Sequence, residues 1–158
     1  MRLFVITACD APAADKTGRK MAGIPIDAIL CGNTEKEKST ADAILKHQEK
    51  LDSAELSKEL CENEALTDRE RAKAIKDMII GRFQKSEKVA VVMPAEFFGN
   101  SFGAVIMRIS DEAIDNGAAF GCYEGAISSF AIGDRTEADY VNRTLHLKVS
   151  EPEMIKEL

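Results

Sequence analysis

Lys88-Val89-Ala90-Val91-Val92-Met93-Pro94 is the stretch on which the fold turns. A run of apolar residues follows a lysine and stops at a proline, which has no amide hydrogen to give to a strand ladder. A strand that is apolar at every position, with no alternation, has both faces covered. That pattern belongs to a central strand of a parallel sheet packed between helices. Downstream, Phe98, Phe102, Val105 and Ile109 recur at helical spacing, so the strand is expected to feed a helix that returns over the sheet.

Outward from that strand, two helix starts carry their own caps. Thr34-Glu35-Lys36-Glu37 and Thr67-Asp68-Arg69-Glu70 each place a threonine three residues before a glutamate, the spacing of a reciprocal capping box. Ala41, Ile44, Leu45 and Gln48 share one face of the first helix, with Leu51 beyond, and His47 falls on its polar side. Ala72, Ile75, Ile79 and Phe83 share one face of the second. Arg2 to Ile6 reads as a first strand. Ile24 to Cys31 reads as a second, its start held extended by Pro25. Ser53 to Leu66 is mostly polar and is expected to be partly helical. Near the end, Ala126 to Ile132 and Tyr140 to Val149 form a strand pair around the turn Gly133-Asp134-Arg135. This alternation predicts an α/β fold: a three-layer α/β/α sandwich, with a mostly parallel central sheet and a C-terminal strand pair. Residues 1–158 are expected to form one domain.

The net charge is −6, and the basic residues are scattered among acidic ones, as in Glu35-Lys36-Glu37-Lys38. No basic stripe offers itself to nucleic acid or to an anionic membrane. No apolar run approaches the ~20 residues of a membrane span, and the apolar start is interrupted by Asp10 too soon for a secretory signal. A cytoplasmic protein is expected. Cys9, Cys31, Cys61 and Cys122 lie far apart, and His47 and His146 are the only histidines, so zinc-site spacing is absent. The cysteines read as free thiols in a reducing compartment, and neither a metal nor another cofactor is expected.

The order of the pieces carries a resemblance. Met1-Arg2-Leu3-Phe4-Val5-Ile6 runs into Thr7-Ala8-Cys9-Asp10, and Thr17-Gly18-Arg19 follows. Ile26-Asp27-Ala28-Ile29-Leu30-Cys31-Gly32-Asn33 comes next, then Lys36-Glu37-Lys38-Ser39-Thr40-Ala41. Val91-Val92-Met93-Pro94-Ala95 ends a strand before a helix, and Asn142-Arg143-Thr144-Leu145-His146-Leu147 closes the series. The set resembles the histidine phosphatases, the phosphoglycerate-mutase-like superfamily, and its small single-domain members most of all. They show, in the same order, an R-H-G-[ED] box, a threonine-glycine helix start, an IDAI-SSP-x-x-RA-x-x-TA segment, a vvVSHG box and an N-x-x-x-HL ending. Each fragment is weak alone; their order across nearly the whole chain is the specific signal. Two departures bear on architecture. Little chain separates Gly18 from Ile26, so the first helix is expected to be shortened or lost, and 55–66 lacks the family's acidic-glycine signature.

The resemblance implies a mechanism in which a neutral histidine attacks the phosphoryl group while arginines and a second histidine hold its oxygens. Carried onto this chain, the nucleophile position is Ala8, which has no lone pair to offer. The first arginine is Thr7, the second is Lys36, which keeps a charge without the bidentate fork, and the second histidine is Pro94. Losing a preorganised donor costs ~3–4 kcal/mol of transition-state stabilisation, so the covalent path and most of its clamp are gone together. The resemblance therefore implies a catalytically inactive scaffold, acting as a binding or protein-interaction module. Its crevice would offer Thr7, Cys9, Asn33, Thr34, Lys36 and Glu96 to a small phosphorylated or anionic ligand held weakly, and its surface could serve a protein partner or a homodimer. The alternative is a phosphate-ester hydrolase rebuilt around Cys9 or Asp10 at the end of the first strand. No histidine is expected near Cys9, and a half-buried thiol beside a loop aspartate is the plainer reading. Glu96 doubles as an ordinary acidic residue in a helix first turn, and His146 is expected in the closing strand, away from the crevice.

Overall fold

The computed structural model describes residues 1–117 and 119–148. Six strands form one sheet in the order β3-β2-β4-β1-β5-β6: β1 (Arg2–Thr7), β2 (Ala28–Cys31), β3 (Glu55–Leu56), β4 (Lys88–Met93), β5 (Ile127–Ile132) and β6 (Thr136–Arg143). The first four run parallel. β5 lies antiparallel to β1, and β6 antiparallel to β5.

Strand alternation divides the core into two. Leu3, Val5, Val89, Val91, Met93 and Phe130 turn to one face, where α3 (Asp68–Arg82), α4 (Ala95–Phe97) and α5 (Gly103–Ile106) cover them. Phe4, Ile6, Ala90, Val92 and Ile29 turn to the other, beneath α1 (Ala13–Met21) and α2 (Glu35–Leu45). Val89 to Met93 are all fully buried, each large side chain contributing about 2 kcal/mol relative to exposure. The central strand and the three-layer sandwich are as the apolar pattern predicts. Among the described residues no helix is long and apolar enough to cross a membrane.

Several local expectations change. The first helix is neither lost nor started at Thr17: α1 begins at Ala13 and carries Thr17 and Gly18 as buried mid-helix positions. Starting earlier in the chain, it needs none of the short stretch after Gly18. A Cβ at Gly18 would stand 2.2 Å from the Ala43 carbonyl oxygen, so glycine lets α1 lie directly against α2. Gln48 secures the far end. Its Oε1 accepts from the Ile26 amide (3.0 Å), and its Nε2 donates to the Met21 carbonyl (3.1 Å). The helix itself ends at Leu45, so His47 lies beyond it, partly buried, instead of on a solvated helix face.

The segment 53–66, expected to be partly helical, holds a 3₁₀ turn, Lys58–Leu60, together with the two-residue β3 that was not foreseen. After β4 the helical stretch widens into a π turn at Phe98–Phe102. The wider turn breaks the regular spacing: residues 101–106 are all buried, while Ile109 lies past the helix and is only partly buried. The last predicted strand is cut short, because β6 ends at Arg143 and α7 (Leu145–Lys148) follows; Val149 lies outside the described residues. A further short helix, α6 (Asp111–Asp115), precedes β5.

Overpacking the α1–α2 contact tests this layer. Gly18→Ala is expected to lower stability in urea by about 2 kcal/mol, whereas Gly23→Ala, with nothing within 4 Å of the new methyl, should leave the midpoint close to that of the parent chain.

Candidate functional site at the carboxyl edge of the sheet

Because β1, β2 and β4 are parallel, the residues following them meet along one edge, where open α/β sheets hold their ligands. Since β5 is antiparallel to β1, the chain entering β5 reaches this edge too. It crosses as a strap, residues 120–126, and binds the end of β1 closely. The Thr7 hydroxyl accepts from the Ala126 amide (2.9 Å) and donates to the Tyr123 carbonyl, and the Gly125 amide donates to the Thr7 carbonyl (2.9 Å). Gly125 takes φ +73°, the left-handed region that favours glycine. The strap is tied elsewhere by Phe120 N–H to the Gly99 carbonyl (2.7 Å) and by the Asn142 side-chain amide to the Gly121 carbonyl (2.8 Å).

The sequence-named residues fall out as follows. Ala8 is buried, its amide donating to the Met93 carbonyl (2.8 Å), and Pro94, half-buried, directly follows Met93 at the end of β4. Cys9 is 1% exposed, and its amide donates to Thr40 Oγ1 (3.0 Å). Thr34 caps α2 as expected: Oγ1 accepts from the Glu37 amide (3.2 Å) and donates to Glu37 Oε1 (2.9 Å). The reciprocal half of that box does not form; the Glu37 carboxyl instead accepts from the Thr34 hydroxyl. At Thr67 the full box forms. Lys36 donates to Glu124 Oε1 (2.8 Å) and lies 3.9 Å from Asp10. Asn33 and Glu96 are exposed, and among the described residues no hydrogen bond joins them to this group. The edge thus brings Thr7, Lys36 and Asp10 together through the strap, buries Cys9 beneath it, and leaves Asn33 and Glu96 at the rim.

His146 is a correction. It sits on α7, against the strap, with Nε2 3.1 Å from Thr17 Oγ1 and 3.0 Å from the Gly125 carbonyl. Thr17 also donates to that carbonyl (2.9 Å). Burial pushes the imidazole below its ordinary value; the Gly125 carbonyl opposes this, while Lys20 and Lys16 reinforce it. The ring therefore stays neutral to lower pH than a free histidine. For Cys9, burial pushes the thiol up, Thr40 opposes, and the charges of Glu124 and Asp10 push it further. A neutral thiol beneath the strap is a poor nucleophile.

Sequence reasoning also passed over a buried polar pair. Glu37 is 2% exposed and Arg71 8%, and Glu37 Oε2 and Arg71 Nε have no hydrogen-bond partner. Arg71 lies on the Phe97 ring, 4.0 Å from its centroid, which pairs the cation with an aromatic face. Nothing in helical periodicity marks either residue, because both sit at positions a polar side chain would ordinarily vacate. No group of three or more His, Cys, Asp or Glu side chains is placed to hold a metal among the described residues.

No family model matches the sequence, and no curated protein matches it either. Solved structures do. A histidine-to-alanine mutant of phosphoserine phosphatase from Entamoeba histolytica, in complex with phosphoserine, superposes with a TM-score of 0.71 at 12% identity, covering 92% of this chain and 98% of that one. Alpha-ribazole phosphatase from Shigella flexneri gives 0.71 at 13%, covering 90% and 96%. Phosphoglycerate mutase from Plasmodium falciparum gives 0.67 at 17%, covering 89% of each chain. This is the histidine-phosphatase fold. In it, the ends of β1 and β4, where the resemblance placed the two histidine boxes, carry Thr7-Ala8 and Pro94 in this chain.

Burial raises the Glu37 carboxyl above its ordinary value, against the Thr34 hydroxyl, the Gly32 amide and the charge of Arg71. The folded protein then holds this proton more tightly than the unfolded chain does. Its contribution to stability is full below the unfolded value near 4.5 and is lost as pH rises through the raised one. Glu37→Gln, which keeps the shape without the charge, should raise the melting temperature at pH 7–8 by about 3 °C or more. Scanned downward in pH, that advantage should vanish by about pH 4.

Proposed function

We propose that this chain uses the histidine-phosphatase fold without phosphohistidine chemistry, as a catalytically inactive binding or protein-interaction module. The observation that carries this reading is the state of Thr7: its hydroxyl is bonded on both sides to the strap, at Tyr123 and Ala126. The group that stands where the resemblance implies a phosphate-binding arginine is thus consumed within the protein. Its neighbour Ala8 has no lone pair and is 2% exposed, and Pro94 can neither donate nor titrate. The remaining cation, Lys36, is already paired with Glu124. Without the fork of an arginine it can attract a phosphoryl group but cannot orient it.

Among the solved structures, a histidine-to-alanine mutant of one phosphatase is in complex with phosphoserine. That protein thus holds phosphoserine with a histidine replaced by alanine. By analogy, the crevice here is read as a weak site for a small phosphorylated or anionic ligand, with a protein partner or a second copy as the other class of partner. The alternative, a hydrolase rebuilt around Cys9 or Asp10, draws on one observation: Thr17, which contacts His146, also lies beside Cys9. Burial of the thiol weighs against it, since a neutral sulfur 1% exposed has neither charge nor access.

Hydrolysis of an aryl phosphate separates the two. The native protein is expected to match the rate without protein, and Ala8→His/Pro94→His should gain nothing, because the arginine clamp stays absent. Turnover by the native chain that disappears in Cys9→Ser would establish the rebuilt hydrolase instead.

A further inference from the structure

The opposite edge of the sheet carries a cavity of its own. Its volume is about 420 Å³, within the size range of small-molecule sites. β1 and β4 start at this edge and β5 ends at it, so Thr7 and Pro94 lie at the other end of the same strands. The wall draws Arg2 from β1, Lys88 from β4, Lys85 from the turn before it, and Arg135 from the turn between β5 and β6. Glu87 and Glu137 line it too. Basic side chains therefore outnumber carboxylates here, in a protein whose net charge is −6. They come from three separate stretches of the chain, so no basic run in the sequence announces them. Three of the four cations are left unused by the fold. Arg2 is committed, since its guanidinium donates to the Asp139 carboxylate and to Ser129 Oγ (3.4 Å). Lys85, Lys88 and Arg135 make no side-chain hydrogen bond or ion pair among the described residues. Every other described guanidinium lies against a carboxylate, a backbone carbonyl or an aromatic ring. Arg135 alone keeps its whole fork free.

The backbone that carries these groups is tied down. The Gly133 amide donates to the Arg135 carbonyl (3.1 Å), Arg108 donates to the Asp134 carbonyl (3.1 Å), and the Arg2 amide donates to the Glu87 carbonyl (3.0 Å). Only side chains need ordering when a ligand arrives, which keeps the entropic cost of binding low. A concave wall with an excess of one sign concentrates the opposite charge. A guanidinium grips two oxygens of a carboxylate or phosphoryl group at once, and an ammonium adds charge without fixing direction. We propose that this cavity is a binding site, separate from the crevice, for a small molecule bearing two or more oxyanion groups. Arg135 orients one of those groups, and Lys85 and Lys88 attract the other. Glu87 and Glu137 stand in the same wall and repel an anion that spreads along it, which favours a compact ligand over a nucleic-acid strand. The proposal does not depend on what the crevice does, because the two share no lining residue.

The test is calorimetric titration of the full chain with citrate and, separately, with pyrophosphate, at fixed ionic strength, with amide chemical shifts locating the contact. At least one of the two should bind, with shifts at 85–88 and 131–137, and the tighter one tells a polycarboxylate ligand from a phosphorylated one. Arg135→Gln, at an exposed turn position, should fold as the parent does and weaken binding about fivefold. Arg135→Lys, which keeps the charge without the fork, should recover only part of that loss. Glu137→Gln removes a like charge from the wall and should tighten binding about twofold. Lys58→Gln makes the same charge change as Arg135→Gln on the exposed 3₁₀ turn after β3, near the other edge of the sheet, and should leave Kd unchanged. No binding of either anion, shifts confined to 7–10 and 34–37, parent-like binding by Arg135→Gln, or an equal loss in Lys58→Gln would each overturn the proposal.

Discussion

Strand β1 forms backbone hydrogen bonds along both of its edges, to β4 on one side and β5 on the other, and the position of every group at the carboxyl edge follows from that double pairing. The parallel partner brings the end of β4 alongside Thr7 and Ala8. The antiparallel partner reverses the chain and delivers the approach to β5 to the same place. A sheet with only the first pairing would have an open crevice. Adding the second lays a strap across it, and the buried Thr7 hydroxyl joins the two, since it both accepts from and donates to the strap.

Much of this was legible in the sequence. The unbroken apolar run of β4 demanded helices on both faces, the two threonine–glutamate spacings marked the starts of α2 and α3, and the ordered family-like pieces located the ends of β1 and β4. What was not legible depends on long-range placement. Periodicity identifies Ile127–Ile132 as a strand without saying that it pairs with β1, so it cannot bring Glu124 to Lys36 or His146 to Thr17. The start of α1 was misplaced because Thr17-Gly18 has the look of a helix opening, whereas its glycine is there for contact with α2. Phe98 and Phe102 were rightly placed inside, but a π turn defeats counting by 3.6, and Ile109 fell off the face assigned to it. Arg71 escaped notice, and Glu37 was legible only as a capping residue, because charged residues are expected outside.

The electrostatics of the edge differ in kind from those the fold resemblance implies. Where the resemblance implies arginine and histidine, this edge has a lysine flanked by Glu124 and Asp10, so the rim is balanced to slightly acidic. Near it, buried Glu37 and half-buried His146 respond to pH in opposite directions. The proton on Glu37 favours the folded state at low pH, whereas neutral His146 favours it above about pH 6.5 and gives that up as pH falls through its lowered value. Glu37 sits on α2 and His146 on α7 against the strap, so the two pH responses come from different elements around the crevice.

The same double pairing of β1 governs when the site can come into being during synthesis. Ile6 must wait for Val92 before it acquires one neighbour and for Ile127 before it acquires the other. At ribosomal rates of some 5–20 residues per second, the second wait is on the order of ten seconds. Through that interval β1 has one edge unpaired, and the residues that will line the crevice have no strap to bind. The floor of the site is therefore translated well before its roof.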